Sequence, residues 1–381
     1  MSTTVEEIEK TETSKDAKSK LLLDSLEIKG YRCFEHLTIE KLGRVNLIVG
    51  KNNVGKTALL EALRIYANHR DSGVIQDIIF ERNESSVKNN LSLESSKESS
   101  FAARNLLFNR PVFLGKLLPV KDSDYFIITE AGRDLDYIKD RMLSHDIEKD
   151  DFNSKFDQAV AKAVGAKTTL VFYDYDTSDK VPRLLYFPKK DRDINNLFVN
   201  SKGLDTEKLI QFWDLIALTS LEDEVIKALS PLFPKLKRID FIGYPNGSTH
   251  RVPVVRVDDV KERLPLKSFG EGMTRLLGIS LSLVQCENGM LLIDEIESGL
   301  HYSVLLDVWR FIFKTARDLN VQVFATTHSS DCIKAFQRAA EEDKQDEGML
   351  IRLVRKGDKI KAVLFDEKEL ETVVENDIEV R

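Results

Sequence analysis

The sequence lacks most of the features that mark secreted and membrane-spanning proteins. Its three cysteines, Cys33, Cys286 and Cys332, are widely spaced and odd in number, so they predict neither a disulfide framework nor a zinc site. No apolar run approaches the roughly 18 residues of a membrane span. Residues 1–20 also lack the apolar core of a secretory signal. These absences predict a cytoplasmic protein without membrane contact, with residues 1–20 as a disordered tail.

The sequence also lacks an excess of positive charge. Lys and Arg number 56, Asp and Glu number 63, and the net charge is −7. This balance argues against a protein that coats nucleic acid along its length. Two short basic clusters, at 189–192 and 235–238, are interpreted as solvated surface. With 381 residues, 42% of them hydrophobic, the chain suits two domains or one domain with a large insertion.

Predicted strands and helices alternate towards both ends of the chain. Apolar runs predict strands at 24–28, 36–39, 45–49, 290–293 and 321–325. Apolar residues at helical spacing predict helices at 56–67, 270–286, 302–319 and 329–340. Such alternation predicts an α/β fold with a mostly parallel sheet, together with an antiparallel β subdomain at the N-terminus. We therefore assign 21–67 and 266–381 to one core and 68–265 to a large inserted α+β lobe of mixed strands and helices.

Weaker patterns fill the remainder of the chain. The inserted lobe is predicted to contain strands at 125–129, 169–173 and 184–187, and helices at 206–218 and 221–229. Near the C-terminus a hairpin is expected, formed by 350–355 and 360–365. A short helix should follow it, with Asp366 and Glu369 as a capping pair.

The strongest motif is a glycine-rich segment between the third predicted strand and the first predicted helix. It fits the pattern G-x-x-x-x-G-K-[ST], and its residues with the next one are Gly50, Lys51, Asn52, Asn53, Val54, Gly55, Lys56, Thr57 and Ala58. Glycines let backbone N–H groups curl around a phosphate at the positive end of the following helix. Lys56 can then reach the β- and γ-phosphates, and the Thr57 hydroxyl can bind Mg²⁺. The segment predicts a P-loop for ATP and Mg²⁺, with a plain glycine-rich turn as the alternative.

Acidic residues and a histidine end the next predicted strands. Asp294 and Glu295 follow the strand at 290–293; Asp294 can hold the Mg²⁺ shell, and Glu295 can orient and deprotonate an attacking water. His328 follows the strand at 321–325, where it can sense the γ-phosphate and hold that water. Each residue alone could be solvated surface or a helix cap. Together they predict Glu295 and His328 as catalytic residues.

A second anion cradle is predicted at the start of the helix at 270–286. Ser268, Gly270, Glu271 and Gly272 combine a small hydroxyl with two glycines at a helix N-terminus. Out of context this segment is an ordinary serine-capped helix. Because one chain with one P-loop has no use for two cradles, we expect a head-to-tail dimer. In it, 268–272 of one copy would cover the ATP held by the other.

The order of these motifs resembles the ABC-type ATPases, and most closely the ATPase domains of the overcoming-lysogenization-defect (OLD) family and their RecF-like relatives. The residues that carry the resemblance are 28–34, the P-loop, 266–273, 292–303 and 377–381. The resemblance implies an ABC-type ATPase head that forms an ATP-dependent homodimer. It also implies that the loop at 298–301 crosses the dimer interface and that Arg32 lies near the nucleotide.

Nuclease members of that family carry a TOPRIM domain after the ATPase, whereas 53 residues follow His328 here. The resemblance therefore implies a regulatory ATPase of a phage-defence or DNA-surveillance system that acts with a separately encoded effector, such as a TOPRIM nuclease. The alternative is a RecF-like repair ATPase that binds DNA. The ATPase subunit of a membrane transporter fits the motifs less well.

Overall fold

The computed structural model describes residues 21–68, 73–82, 124–129, 168–175, 182–187, 194–231, 233–243, 251–258, 260–345, 347–367 and 369. Its strands are β1 (Leu26–Tyr31), β2 (Phe34–Ile39), β3 (Val45–Val49), β4 (Asp124–Thr129), β5 (Thr168–Tyr175), β6 (Pro182–Phe187), β7 (Asn196–Val199), β8 (Leu236–Gly243), β9 (Arg251–Val257), β10 (Leu264–Pro265), β11 (Met290–Ile293), β12 (Gln322–Thr326), β13 (Gly348–Lys356) and β14 (Lys359–Phe365). Its α-helices are α1 (Lys56–Ala67), α2 (Gly73–Glu81), α3 (Thr206–Ile216), α4 (Ser220–Leu229), α5 (Glu271–Gln285), α6 (Leu305–Asp318) and α7 (Ser330–Asp343). Short 3-10 helices, Leu266–Phe269 and Tyr302–Val304, precede α5 and α6.

A six-stranded sheet forms the centre of the fold, in the order β14-β13-β3-β12-β11-β7. The strands from β13 to β7 pair in parallel, and only β14 is antiparallel to its neighbour. Because helices and strands cover both faces of a parallel sheet, its strands are buried along their length. Every residue of β3, β11 and β12 is buried. The predicted α/β class with a mostly parallel sheet is confirmed.

Alternate residues of the central strands face two separate cores. Leu291 and Ile293 belong to a core that includes residues of α5, α6 and α7. Met290 and Leu292 belong to a second core with residues of α1, β1 and β2. Burying one such side chain contributes about 1.5–3 kcal/mol. The ends of β3, β11 and β12 are therefore held rigidly from both sides.

Strand β7 was not predicted, and it corrects the extent of the inserted lobe. Asn196 pairs with Met290 and Val199 with Ile293, in parallel register. The range 68–265 therefore contains a strand of the central sheet and is not a separate lobe throughout. The strand has only four residues, and Val199 alone is fully buried, so it carries no periodic signal.

The predicted N-terminal antiparallel sheet is present and larger than expected. Its order is β2-β1-β4-β5-β6, and every pair is antiparallel. The last three of these strands come from the range 68–265 and agree with the predicted strands to within two residues at each end. The middle of the chain thus completes two sheets that the N-terminal segment begins.

A three-stranded antiparallel sheet, β10-β9-β8, leads into α5. Trp213 of α3 contacts Phe241 of β8, with ring centroids 5.8 Å apart. Val225 of α4, Ile239 of β8 and Val255 of β9 belong to the same core as α5. This sheet and the helices α3 and α4 therefore support the start of α5, where the second cradle was predicted.

The C-terminal hairpin and its helix cap are confirmed. β13 and β14 pair along their length. The N–H of Glu369 donates to Asp366 Oδ1 over 3.0 Å, and the N–H of Asp366 donates to Glu369 Oε2 over 3.2 Å, which is a capping box. Among the described residues, no helix is both long enough and apolar enough to cross a membrane. The predictions made for 1–20 and 377–381 lie outside the described residues.

Candidate functional site

The glycine-rich loop 50–55 connects the end of β3 to the start of α1. Gly50 and Gly55 have φ angles of 145° and 99°, which glycine adopts without strain. A Cβ on Gly55 would lie 2.5 Å from Cys33 Sγ, and one on Gly50 would lie 2.6 Å from the carbonyl oxygen of Leu353. Both positions need glycine for conformation and for space. The loop curls against the N-terminus of α1, where an anion is favoured.

Lys56, the first residue of α1, reaches back over this loop. Its Nζ donates to the carbonyl oxygens of Gly50 over 2.7 Å and of Lys51 over 3.1 Å. Burial lowers the pKa of Lys56, and the nearby carboxylates of Asp294 and Glu295 oppose that shift. The ammonium group is held at the mouth of the cradle, within reach of the oxygens of a polyphosphate.

Hydroxyl and carboxylate oxygens meet beside the loop. Thr57 Oγ1 donates to Asp294 Oδ2 over 3.1 Å, and Thr326 Oγ1 donates to Asp294 Oδ1 over 2.6 Å. Such hard oxygen ligands suit Mg²⁺, which completes its octahedral shell with water and phosphate oxygens. No group of three or more His, Cys, Asp and Glu side chains suited to a metal occurs among the described residues. Thr57 and Asp294 therefore fit a Mg²⁺ ion that is held jointly with a phosphate.

Glu295 and His328 face each other across the ends of β11 and β12. His328 Nε2 lies 3.7 Å from Glu295 Oε1, and the two side chains are 38% and 43% exposed. The backbone of Glu295 is left-handed, with φ of 48°, and its N–H donates to Thr326 Oγ1 over 2.8 Å. A left-handed conformation is strained for a residue other than glycine. An accessible carboxylate beside an imidazole can bind and activate a water molecule.

Arg275 was not predicted as a site residue, yet it supports both acids. It lies in α5 with 5% of its surface exposed. Its Nη2 donates to the carbonyl oxygens of Asp294 over 2.8 Å and Glu295 over 3.2 Å, and its Nη1 donates to the carbonyl oxygen of Asn200. The sequence did contain a signal for this role: Arg275 is the one arginine on the apolar face of the predicted helix. A buried cation needs hydrogen-bond partners, so such a residue indicates a polar site nearby.

Glu297 is a second residue that was left without a role. Its Oε1 accepts a hydrogen bond from the backbone N–H of His328 over 2.8 Å. This bond joins the loop after β11 to the loop after β12, so it helps to set the separation of Glu295 and His328. The sequence signal for this role was the position of Glu297, a third acid two residues after Glu295. The motif predicts roles for Asp294 and Glu295 only.

The predicted second cradle lies at the start of α5 and is open to solvent. Ser268 lies in the 3-10 helix before α5, Gly270 has a φ of 90°, and α5 begins at Glu271. All three residues are exposed. A Cβ on Gly270 would meet no atom within 4 Å, so a ligand can approach the backbone there closely.

Gly272 connects this cradle to the loop at 298–301. A Cβ on Gly272 would lie 2.7 Å from the carbonyl oxygen of Gly299, so the helix and the loop pack closely only because the residue is glycine. The principal packing partners of the 3-10 helix are β9, β10 and α5. The cradle and the loop thus form one surface next to the Asp-Glu strand.

Arg32 forms an ion pair with Glu61 of α1, the helix that follows the P-loop. Its Nε lies 2.6 Å from Glu61 Oε2, and the Tyr31 hydroxyl donates to the same oxygen over 3.2 Å. Arg82 also pairs with Glu61. Burial raises the pKa of Glu61, and the two guanidinium groups oppose the shift. The structure places the Arg32 guanidinium on the second turn of α1, and its approach to a nucleotide remains a prediction.

Comparison with protein families places most of the chain in one family. Residues 45–331 match the family AAA_21, described as "AAA domain, putative AbiEii toxin, Type IV TA system". The matched range contains the P-loop, the cradle at 268–272, both acids and His328. It covers well over half of the chain.

Individual proteins show similarity of different extent. An "ATP/GTP phosphatase" of Helicobacter pylori is 25% identical over 352 residues, which is 84% of this chain and 89% of that protein. The DNA replication and repair protein RecF of Bacillus mycoides is 32% identical over 82 residues, which is 21% of this chain and 22% of RecF. The likeness to the phosphatase therefore extends over nearly the whole chain, and the likeness to RecF over one segment.

The fold is also found among solved structures. The crystal structure of an SmcHead bound to the C-winged helix domain of ScpA aligns with a TM-score of 0.51 and 12% identity, and the alignment covers 92% of this chain and 99% of that chain. At this identity the likeness concerns the fold alone. It agrees with the α/β fold and the mostly parallel sheet described above.

Proposed function

The chain belongs to the AAA_21 family of AAA domains, and on that premise we propose that it is a Mg²⁺-dependent ATPase that works as an ATP-gated head-to-tail dimer. Family membership and the ABC-type fold support the ATPase class. The extensive similarity to an ATP/GTP phosphatase supports hydrolysis of the bound nucleotide.

The observation that carries the proposal is the meeting of four side chains at the ends of adjacent parallel strands. Thr57, Asp294, Glu295 and His328 lie around one point: hydrogen bonds, in part through Thr326, connect Thr57, Asp294 and the backbone of Glu295, and the Glu295 carboxylate lies 3.7 Å from the His328 ring. Thr57 and Asp294 would hold Mg²⁺, which neutralises phosphate charge when bound. Glu295 would accept a proton from the attacking water, and His328 would orient that water.

The open cradle at the start of α5 supports the dimer. The N-terminus of α5, a helix of 15 residues, is exposed to solvent together with Ser268 and Gly270 before it. Such a helix N-terminus favours the binding of a phosphate. In the proposed dimer each copy places this cradle over the nucleotide of its partner. ATP would therefore join two copies, and hydrolysis would release them.

We further propose that this cycle controls a separately encoded effector, such as a TOPRIM nuclease, in phage defence or DNA surveillance. The family description refers to a type IV TA system, which supports a role beside a second component. A RecF-like repair role is the second candidate, supported by the segment of similarity to RecF.

Two substitutions separate binding from hydrolysis. Lys56→Ala should lose nucleotide affinity, because it removes the cation at the mouth of the loop. Glu295→Gln should keep that affinity and lower kcat by a factor of about 10² to 10⁴, as expected when a general base is lost. Phosphate release and binding of a fluorescent ATP analogue measure the two properties.

The exposed Glu287 provides a matched control, since Glu287→Gln makes the same chemical change away from the site. It should leave kcat unchanged. Hydrolysis by Glu295→Gln at the wild-type rate would remove Glu295 from the proposed mechanism.

A further inference from the structure

A row of arginines crosses the three-stranded sheet β8–β10, outside the nucleotide site. Arg238 of β8 pairs directly with Arg256 of β9. Leu264 of β10 pairs with Val255, and continuing that register by one residue places Arg263 beside Arg256. Neighbouring strands are about 4.8 Å apart, so Arg238 and Arg256 lie side by side, and Arg263, which immediately precedes β10, continues the row when the register is extended. We name Arg238, Arg256 and Arg263 the arginine row.

The arginine row lies on the outer face of this sheet. Ile239 and Val255, each adjacent in sequence to a member of the row, belong to the main core. Because side chains alternate between the two faces of a strand, Arg238 and Arg256 point outwards. All three arginines are exposed. Arg238 belongs to the basic cluster at 235–238, a segment interpreted from its sequence as solvated surface, and Arg256 and Arg263, 18 and 25 residues further on, join it only through strand pairing.

Among the described residues, Arg238, Arg256 and Arg263 form no ion pair, and the acid on the same face of β8, Asp240, lies two residues from Arg238. By contrast, the exposed Arg310 contacts Asp307 and Glu342, and the partly exposed Arg251 contacts Asp214. Like charges placed directly opposite each other destabilise an antiparallel sheet. The row therefore costs stability in the isolated chain, and a polyanion bound to it would offset that cost.

We infer that the arginine row binds the phosphate backbone of double-stranded DNA. Arginine is a preferred donor to phosphate, and contacts to phosphate need no particular base sequence. The outward positions of β8, β9 and β10 hold no aromatic side chain, whereas proteins that bind single strands stack the bases on aromatic rings. A duplex, which presents a regular line of phosphates, is the partner that this face suits.

The position of the arginine row relates it to the second cradle. β10 ends at Pro265, and the 3-10 helix that contains Ser268 follows at once and packs on β9. A duplex on the row would lie beside the surface that is proposed to meet the partner's nucleotide. The inference itself does not depend on that dimer, because the row is complete within one chain.

Fluorescence anisotropy with a labelled duplex of about 30 base pairs tests the inference, using the full chain without nucleotide. Three phosphate contacts predict a slope of about −2.7 for log affinity against log salt concentration. Affinity should then fall about fortyfold between roughly 50 and 200 mM salt. The double variant Arg238→Ala and Arg256→Ala should retain one contact, with a slope of about −0.9 and a three- to fourfold fall over the same range.

Matched variants make the result specific to the arginine row. Lys208→Ala with Lys361→Ala removes two exposed positive charges elsewhere and should keep the wild-type slope. Arg256→Lys preserves the charge at the row and should also keep it, even if a double alanine variant folds poorly. Binding of a fluorescent ATP analogue reports that each variant is folded.

Three results would overturn the inference: no duplex binding by the wild type at low salt, an equal change of slope in the lysine control, or tighter arginine-dependent binding of a single strand. Because the assay contains no nucleotide, its failure would leave the ATP-gated dimer untouched. Failure of the dimer would likewise leave this result unaffected.

Discussion

Replacing Glu297 with alanine tests whether the loop after β11 positions the histidine on the loop after β12. The substitution removes the acceptor of the His328 N–H, a bond of 2.8 Å. A hydrogen bond to a charged group contributes about 1.5–3 kcal/mol, and partial exposure here reduces this to about 1–2 kcal/mol. If the bond acts in the transition state, kcat should fall by a factor of about 5 to 30.

The assay is steady-state phosphate release together with equilibrium binding of an ATP analogue. Nucleotide affinity should change much less than kcat, because among the described residues Glu297 forms no hydrogen bond with the P-loop and acts on Lys56 through its charge alone. Glu297→Gln is the matched control, since its amide oxygen can still accept the His328 N–H, and it should recover kcat to within about threefold. An unchanged kcat in Glu297→Ala, or an equal loss in Glu297→Gln, would refute a positioning role.

Three further predictions concern the loop, the cradle and the buried arginine. Gly55→Ala should lower the free energy of unfolding by at least about 2 kcal/mol in urea denaturation, because the new methyl group meets Cys33. Gly357→Ala is the control: Gly357 has a φ of 62° and open space around it, so the substitution should cost about 1 kcal/mol. Equal effects of the two substitutions would contradict the packing described. Ser268→Trp should leave monomer stability within about 0.5 kcal/mol and abolish ATP-dependent dimerisation and turnover, and a fully active variant would exclude the cradle from the interface. Arg275→Ala should destabilise the chain by about 1–3 kcal/mol for each buried carbonyl left without its donor, and Arg275→Lys should not restore stability, because lysine lacks the planar fork.

The central elements were predictable because their signals are local and strong. β11 is a continuous apolar run and β3 is apolar except for Asn46, and the boundaries predicted for both strands and for α1 agree with the structure. The P-loop and the Asp294-Glu295 pair follow these strands directly. Since parallel strands end at one edge of a sheet, placing each motif at a strand end also predicts that the motifs meet.

The remaining features depend on contacts between distant parts of the chain. β7 has four residues and acquires its place only by pairing with β11. Arg275 is a site residue because α5 packs where its guanidinium reaches the backbone of Asp294. The arginine row exists only through the register of β8, β9 and β10. Such features follow from tertiary pairing, which local periodicity does not encode.

The gating of the dimer by ATP is tested most directly by the molar mass of Glu295→Gln in solution. Size-exclusion chromatography with light scattering should give about twice the chain mass of 43.5 kDa with ATP and Mg²⁺, and the mass of a single chain without nucleotide. Glu295→Gln combined with the Ser268→Trp substitution should remain a single chain in both conditions. A Glu295→Gln variant that binds ATP and yet stays at 43.5 kDa would contradict the account.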